Sequence, residues 1–135
     1  LLNNVDIDSI IKNPLMDFDG IEFLFSKVEL GVASDLKTVS KKIKNKIDSA
    51  IIFLFTEIDK KITISISITD DLIAKSFHAG KLVKFLASEL NGRGGGKEDF
   101  AMAGISYIHP KEINLVAWQL VKRFLEKKHE DSFND

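Results

Sequence analysis

The sequence predicts an α/β (α+β-like) domain, a single mixed β-sheet of about four strands with about three helices packed against it. Three observations predict it. Ile62, Ile64, Ile66 and Ile68 alternate with Thr63, Ser65, Ser67 and Thr69, the period-two pattern of a strand with one face in a core and one face wet or lightly covered. Leu36, Val39, Ile43 and Ile47 recur at spacings of three and four, which places them on one stripe of a helix. Segments of these two kinds then interleave along the chain.

The elements follow in order. Leu1 to Gly20 holds scattered apolar residues, an Asn13-Pro14 break and an Asp17-Phe18-Asp19-Gly20 turn signal, and reads as a linker with a short helix. Ile21, Phe23 and Phe25 alternate with Glu22, Leu24 and Ser26 in a half-buried strand over 21–30, stopped by Gly31. Ser34-Asp35 can cap a helix from Leu36 to Ile47 whose other faces carry Lys37, Lys41, Lys42, Lys44 and Lys46. Ala50 to Phe55 is continuously apolar, as a central strand covered on both faces requires. Lys60-Lys61 marks a tight connection to the isoleucine strand. A second helix over 79–90 buries Leu82, Val83, Phe85, Leu86 and Leu90, and ends in the glycine run from Asn91 to Lys97. Phe100 to Tyr107 reads as a short strand of small residues. Pro110 suits the first position of a last helix with Ile113, Val116, Ala117, Leu120, Val121, Phe124 and Leu125 inward. The divisions expected are 1–20 linker, 21–129 domain and 130–135 frayed tail.

Composition excludes whole classes of function. The 135 residues are 44% hydrophobic and 29% charged, enough to build one core. No apolar run reaches the roughly 20 residues that span a bilayer, and no secretory signal opens the sequence. With no cysteine there is no disulfide and no thiolate chemistry. A cytoplasmic chain is expected, with no membrane partner and no cofactor. Its opening at Leu1, not Met, fits a piece of something longer. The net charge is −1, but residues 31–97 carry twelve bases against seven acids. Such a concentration can steer a polyanion, although lysines on a solvated helix face are the commoner cause.

The segment richest in chemistry is Gly92 to Gly104, GRGGGKEDFAMAG. Consecutive glycines can take positive φ and turn their N–H groups into an anion-binding concavity, with Arg93 and Lys97 adding charge-assisted bonds. A plain flexible connection explains the run equally well. It is no Walker loop, since no Gly-Lys-Ser/Thr follows, and no dinucleotide fingerprint, since it follows a helix. His78, His109 and His129 have no metal-site spacing, so no metal is expected. His78 reads as a cap or packing residue, and His109 as a turn residue. Asp70-Asp71 read as a strand end and not an acid–base pair, and Trp118 as core. No catalytic constellation is found.

Gly94-Gly95-Gly96-Lys97-Glu98-Asp99-Phe100-Ala101-Met102-Ala103-Gly104 resembles a motif near the end of alanyl-tRNA synthetases: three glycines, a basic residue, any residue, Asp, an apolar residue, Ala, any residue, Ala, Gly. Ala79-Gly80-Lys81-Leu82-Val83 is similar to the opening of that family's preceding helix, and Ile64 to Leu72 to the strand before it. The likeness runs in order from Ile21 to Leu125. The domain type it resembles is the DHH-associated domain, the C-Ala part of alanyl-tRNA synthetase. It also ends certain phosphoesterases and single-strand exonucleases, which place His where Lys97 stands here. Glu98 stands where the family often has Pro, and Ile105 where it often has a second Gly.

The resemblance implies a non-catalytic module that holds the outer corner of tRNA for alanine attachment and editing. It further implies the remaining synthetase domains as partners and a homodimer as an additional role. The alternative it leaves open is the substrate-binding domain of a DHH-type phosphoesterase or exonuclease. The family's zinc-dependent editing site uses a cysteine, which is lacking here. The expected RNA contacts are Lys37, Lys41, Lys44, Arg93, Gly94, Gly95, Gly96 and Lys97. The three helical lysines come from their spacing of four and three, which sets them on one exposed face.

Overall fold

The computed structural model describes residues 5–134. Residues 1–4 of the expected linker and Asp135 of the expected tail lie outside the described residues. A six-stranded mixed sheet carries five helices, α1 (Ile7–Ile10), α2 (Leu36–Lys44), α3 (Asp70–Ile73), α4 (Ala79–Glu89) and α5 (Pro110–Asn134). The strands are β1 (Met16–Phe18), β2 (Ile21–Lys27), β3 (Ile51–Ile58), β4 (Lys61–Ile68), β5 (Arg93–Gly96) and β6 (Phe100–Ile105), in the spatial order β1-β2-β3-β4-β6-β5.

About four strands and three helices are thus too few, and both extra strands lie at the edges. In the expected linker, Asp19 and Gly20 both take positive φ (55° and 83°), the geometry of a two-residue hairpin turn. Met16–Phe18 therefore folds back on Ile21–Phe23. The turn from β3 to β4 uses the same device at Asp59 and Lys60 (φ 52° and 63°), without glycine. The glycine run, expected as a loop, is the other edge strand.

Every pairing is antiparallel except β2 with β3, which α2 connects. The isoleucines of β4 face α4 and α5 in one apolar cluster with Phe23, Phe53, Leu82, Leu86, Ala117 and Val121. Trp118 is buried there, edge-on to Phe23 and Phe25 at ring distances of 5.2 and 5.6 Å. Burying one such large side chain stabilises the fold by about 1.5–3 kcal/mol. The opposite face holds a smaller cluster in which Leu36, Val39 and Ile43 of α2 cover Leu24, Ile52 and Leu54, with Ile7 and Ile10 of α1 alongside. Ser65 and Ser67 lie on this second face and are fully buried, so the face of β4 expected to be wet or lightly covered is closely covered there. Their hydroxyls, with those of Ser40 and Thr56, have no hydrogen-bond partner among the described residues.

Candidate nucleic-acid interface

Helix α2 sets the basic side of the site. A three-residue 3-10 turn, Ala33–Asp35, leads into it, and Asp35 makes no side-chain cap bond, contrary to the expected capping. The helix ends at Lys44, three residues short of the expected Ile47, with Lys41, Lys42 and Lys44 in its last turn beside the negative end of the helix dipole. Leu36, Val39, Ser40 and Ile43 are buried. At about 100° per residue, Lys37, Lys41 and Lys44 project from the flank next to Ser40. Lys37 and Lys41 are exposed and Lys44 is half-buried. The three share one flank as expected, but Lys44 is only partly exposed on it.

The flank overlooks β6. The Lys37 ammonium lies 5.9 Å above the ring of Phe100, a cation–π geometry. Phe100, Met102 and Gly104 occupy the face of β6 turned away from the large cluster, while Ala101, Ala103 and Ile105 pack into it. Phe100 and Met102 are half-buried, and a Cβ built on Gly104 meets nothing within 4 Å. Past α2, this side of the sheet is a shallow surface with an aromatic ring, a thioether and lysines along one border. Sequence reasoning did not single out Phe100 and Met102. The signal was there: in 100–103 the large residues alternate with alanines, so the small side chains face the tightly packed helix.

The glycine run works differently from the expected anion concavity. Among the described residues Gly20 is the only glycine with positive φ, so Gly94, Gly95 and Gly96 form a strand and not a left-handed loop. Gly92, Gly94 and Gly96 instead bring their Cα atoms against the β6 backbone. A Cβ on Gly96 would sit 2.5 Å from the Phe100 carbonyl oxygen, and Cβ atoms on Gly92 and Gly94 would overlap Gly104 and Met102. Gly80 of α4 needs the same absence, with the Gly96 carbonyl 2.5 Å from its would-be Cβ. The motif clamps strand, strand and helix at close range.

The first turn of α4 is also fully engaged. The Ala79 and Gly80 N–H groups donate to the Glu98 and Lys97 carbonyls, each at 2.9 Å. Lys81 N–H donates to His78 Nδ1 and Leu82 N–H to the His78 carbonyl, both at 3.2 Å. His78 is thus a cap, as the sequence reading had it. No N–H of this turn is left for an anion. The helix ends with Asn91 at φ 53° and Gly92 N–H donating to the Ala87 carbonyl at 2.8 Å, a Schellman closure with Asn in the left-handed position.

Arg93 and Lys97 are exposed, near opposite ends of β5 and roughly 13 Å apart at the usual strand rise. Lys97 lies beside Phe100, its N–H donating to the Phe100 carbonyl at 3.0 Å. Asp70, Glu98 and Asp99 share a groove with Lys97 and His78, which lowers the local positive potential. Asp71 accepts from Ser49 Oγ at 2.5 Å and Thr69 Oγ1 at 2.6 Å, bonds that hold its carboxyl below the ordinary 3.8. It pins the start of β3 to the end of β4. No group of three or more His, Cys, Asp or Glu residues that could hold a metal occurs among the described residues. No described helix is long and apolar enough to cross a membrane.

A tightly clamped glycine hairpin, a capped helix behind it and a lysine-bordered sheet face form one unit, and the family to which that unit belongs is shown by sequence. The DHHA1 domain model matches residues 20–127, and the chain belongs to that family. More particularly, it is similar to the C-terminal region of alanine–tRNA ligases. It is 39% identical over 103 residues to that of Bacillus thuringiensis (strain Al Hakam), covering 76% of this chain and 12% of the relative. The Geobacillus kaustophilus ligase is 40% identical over 88 residues, or 65% of this chain and 10% of that one. The chain thus spans about an eighth of the first of these synthetases, and the part matched is non-catalytic. The C-Ala domain from Aquifex aeolicus alanyl-tRNA synthetase shares the fold, with a TM-score of 0.65 at 16% identity over 81% of this chain and 98% of that one.

Proposed function

We propose that this domain is a tRNA-holding accessory module of an alanine–tRNA ligase. It grips the folded outer corner of alanine tRNA and leaves aminoacylation and editing to other domains. The observation that carries the reading is the row Lys37, Lys41 and Lys44 bordering an uncovered sheet face with Phe100 at its edge. Lysines at this spacing match phosphates along a backbone, and a half-exposed ring offers a flat apolar contact to a ribose or base. Arg93 and Lys97 extend the contact along β5. Gly94 and Gly96 serve it by holding β5 and β6 close, and Gly95 presents bare backbone between them. The rest of the synthetase and, as a second role, another copy of the domain are the protein partners of this reading, and the cytoplasm is its site of action.

The test is Lys41→Glu with Lys44→Glu, assayed by titration with folded alanine tRNA. The double reversal should weaken binding at least tenfold with an unchanged far-UV spectrum and melting temperature. Unchanged binding would make the basic flank no more than a solvated surface and defeat the proposal.

A further inference from the structure

At the other edge of the sheet, β2 is left open. Val28 N–H donates to the Phe55 carbonyl at 2.8 Å, so even-numbered peptide groups here turn toward β3. Those of Phe25 and Lys27 turn outward by the alternation of a strand. β1 could cover them, but its ladder stops at Met16 opposite Phe23. Continued in register, the next outward pair would set Pro14 opposite Phe25, and proline has no N–H to give. Among the described residues, neither the Phe25 N–H and C=O nor the Lys27 N–H meets a partner. The Lys27 carbonyl accepts from Ser26 Oγ at 2.9 Å.

The open edge forms one wall of a groove whose far side is α5, through Asn114, Leu115 and Trp118. Asn114 Oδ1 is buried without a partner. Leu115 is 60% exposed and Met16 39%, both lining the groove, and Leu15 beside Met16 is 43% exposed. These are three of the five large hydrophobic residues exposed among the described residues. Among the described residues the one charged lining residue is Lys27, whose ammonium is 3.1 Å from exposed Glu29, and a second cation, Lys122, stacks 5.0 Å over Trp118.

We infer that this edge is a docking site for an extended peptide strand of a protein partner, one with apolar residues at alternate positions and an acidic residue among them. Unused N–H and C=O groups spaced along a strand are complementary to another strand's backbone. Leu115, Met16 and Trp118 would take its inward side chains. Lys27 and Lys122 would favour an acid. The site lies across the sheet from the proposed RNA face, so the two can be occupied independently.

The experiment selects a phage-displayed random octapeptide library on the 135-residue chain and maps the enriched peptide by backbone amide shifts. Enriched sequences should alternate apolar residues with at least one Asp or Glu and shift the Phe25 and Lys27 amides. Leu115→Asp, at a position exposed enough to leave folding intact, should weaken the peptide at least tenfold. N-methylation along one alternation of the peptide should do the same, and along the other should not. No enrichment, or shifts confined elsewhere, would overturn the inference. Shifts of these two amides with protein concentration alone would assign the edge to a second copy. Shifts caused by tRNA would assign it to RNA. Either result overturns it too.

Discussion

Gly94 and Gly95 are neighbours in one motif and should respond to alanine in opposite directions. A Cβ at Gly94 falls on the Met102 carbonyl and on Ala103, backbone that no flexible side chain can vacate. A Cβ at Gly95 finds only the Lys84 side chain, at 3.7 Å, an ordinary contact. Gly94→Ala must push β5 off β6, whose ladder runs over four residue pairs from Arg93↔Gly104 to Gly96↔Ala101. Each ladder bond contributes a net ~0.5–1.5 kcal/mol, and forced overpacking costs about 1–3 kcal/mol. A loss of about 2–4 kcal/mol follows. Gly95→Ala removes glycine's extra unfolded-state freedom at no steric cost and should gain about 0.5–1 kcal/mol. Urea unfolding would read the contrast as midpoints separated by roughly 1–2 M, given the slopes of small domains. Equal destabilisation by both substitutions would contradict the strand geometry and restore a positive-φ loop. No effect at Gly94 would refute the clamp.

Other expectations rest on single groups. Ser65→Ala removes a buried hydroxyl without a partner and should stabilise by about 1 kcal/mol in the same assay, since an unmade bond costs about 1–3 kcal/mol; a loss of stability would mean the hydroxyl is satisfied. His78→Ala deletes the α4 cap that accepts from Lys81 N–H and should cost about 1 kcal/mol in urea unfolding. Asp71 has a lowered folded pKa, so its contribution is complete above the ordinary 3.8 and is lost as pH falls through the folded value. The stability difference between the parent chain and Asp71→Asn should therefore hold near neutrality and vanish in acid below that window, as followed by unfolding midpoints across pH.

The parts of the fold legible in the sequence are those with strong periodicity. The isoleucine strand, the continuous Ala50–Phe55 run and the α4 and α5 stripes report burial directly, because the core imposes period two or 3.6. β1 escaped because three residues, Met16–Phe18, carry no period, and the turn signal Asp17-Phe18-Asp19-Gly20 that overlaps them reads equally as part of a linker. β5 escaped for the opposite reason. Glycine is poor in strands, yet here a strand can approach helix and neighbour only if it has no side chains. The lysine row was legible because helical spacing maps onto a surface. That the row borders Phe100 was not, since the two lie on elements far apart in the chain, joined only by the strand order that inserts β6 next to β4. The anion concavity misread the reason for the glycines: they serve packing, with the α4 N–H groups already bonded to the hairpin carbonyls.

The central claim is that phosphates of a folded tRNA meet the α2 flank. Its most direct test is a titration of the chain with folded alanine tRNA at several salt concentrations, repeated with Lys37, Lys41 and Lys44 all changed to Gln. If each lysine releases about one counterion, the slope of log affinity against log salt should flatten by roughly two to three in the variant. An unchanged slope, with the parent chain binding well, would place the RNA elsewhere on the domain and contradict the account.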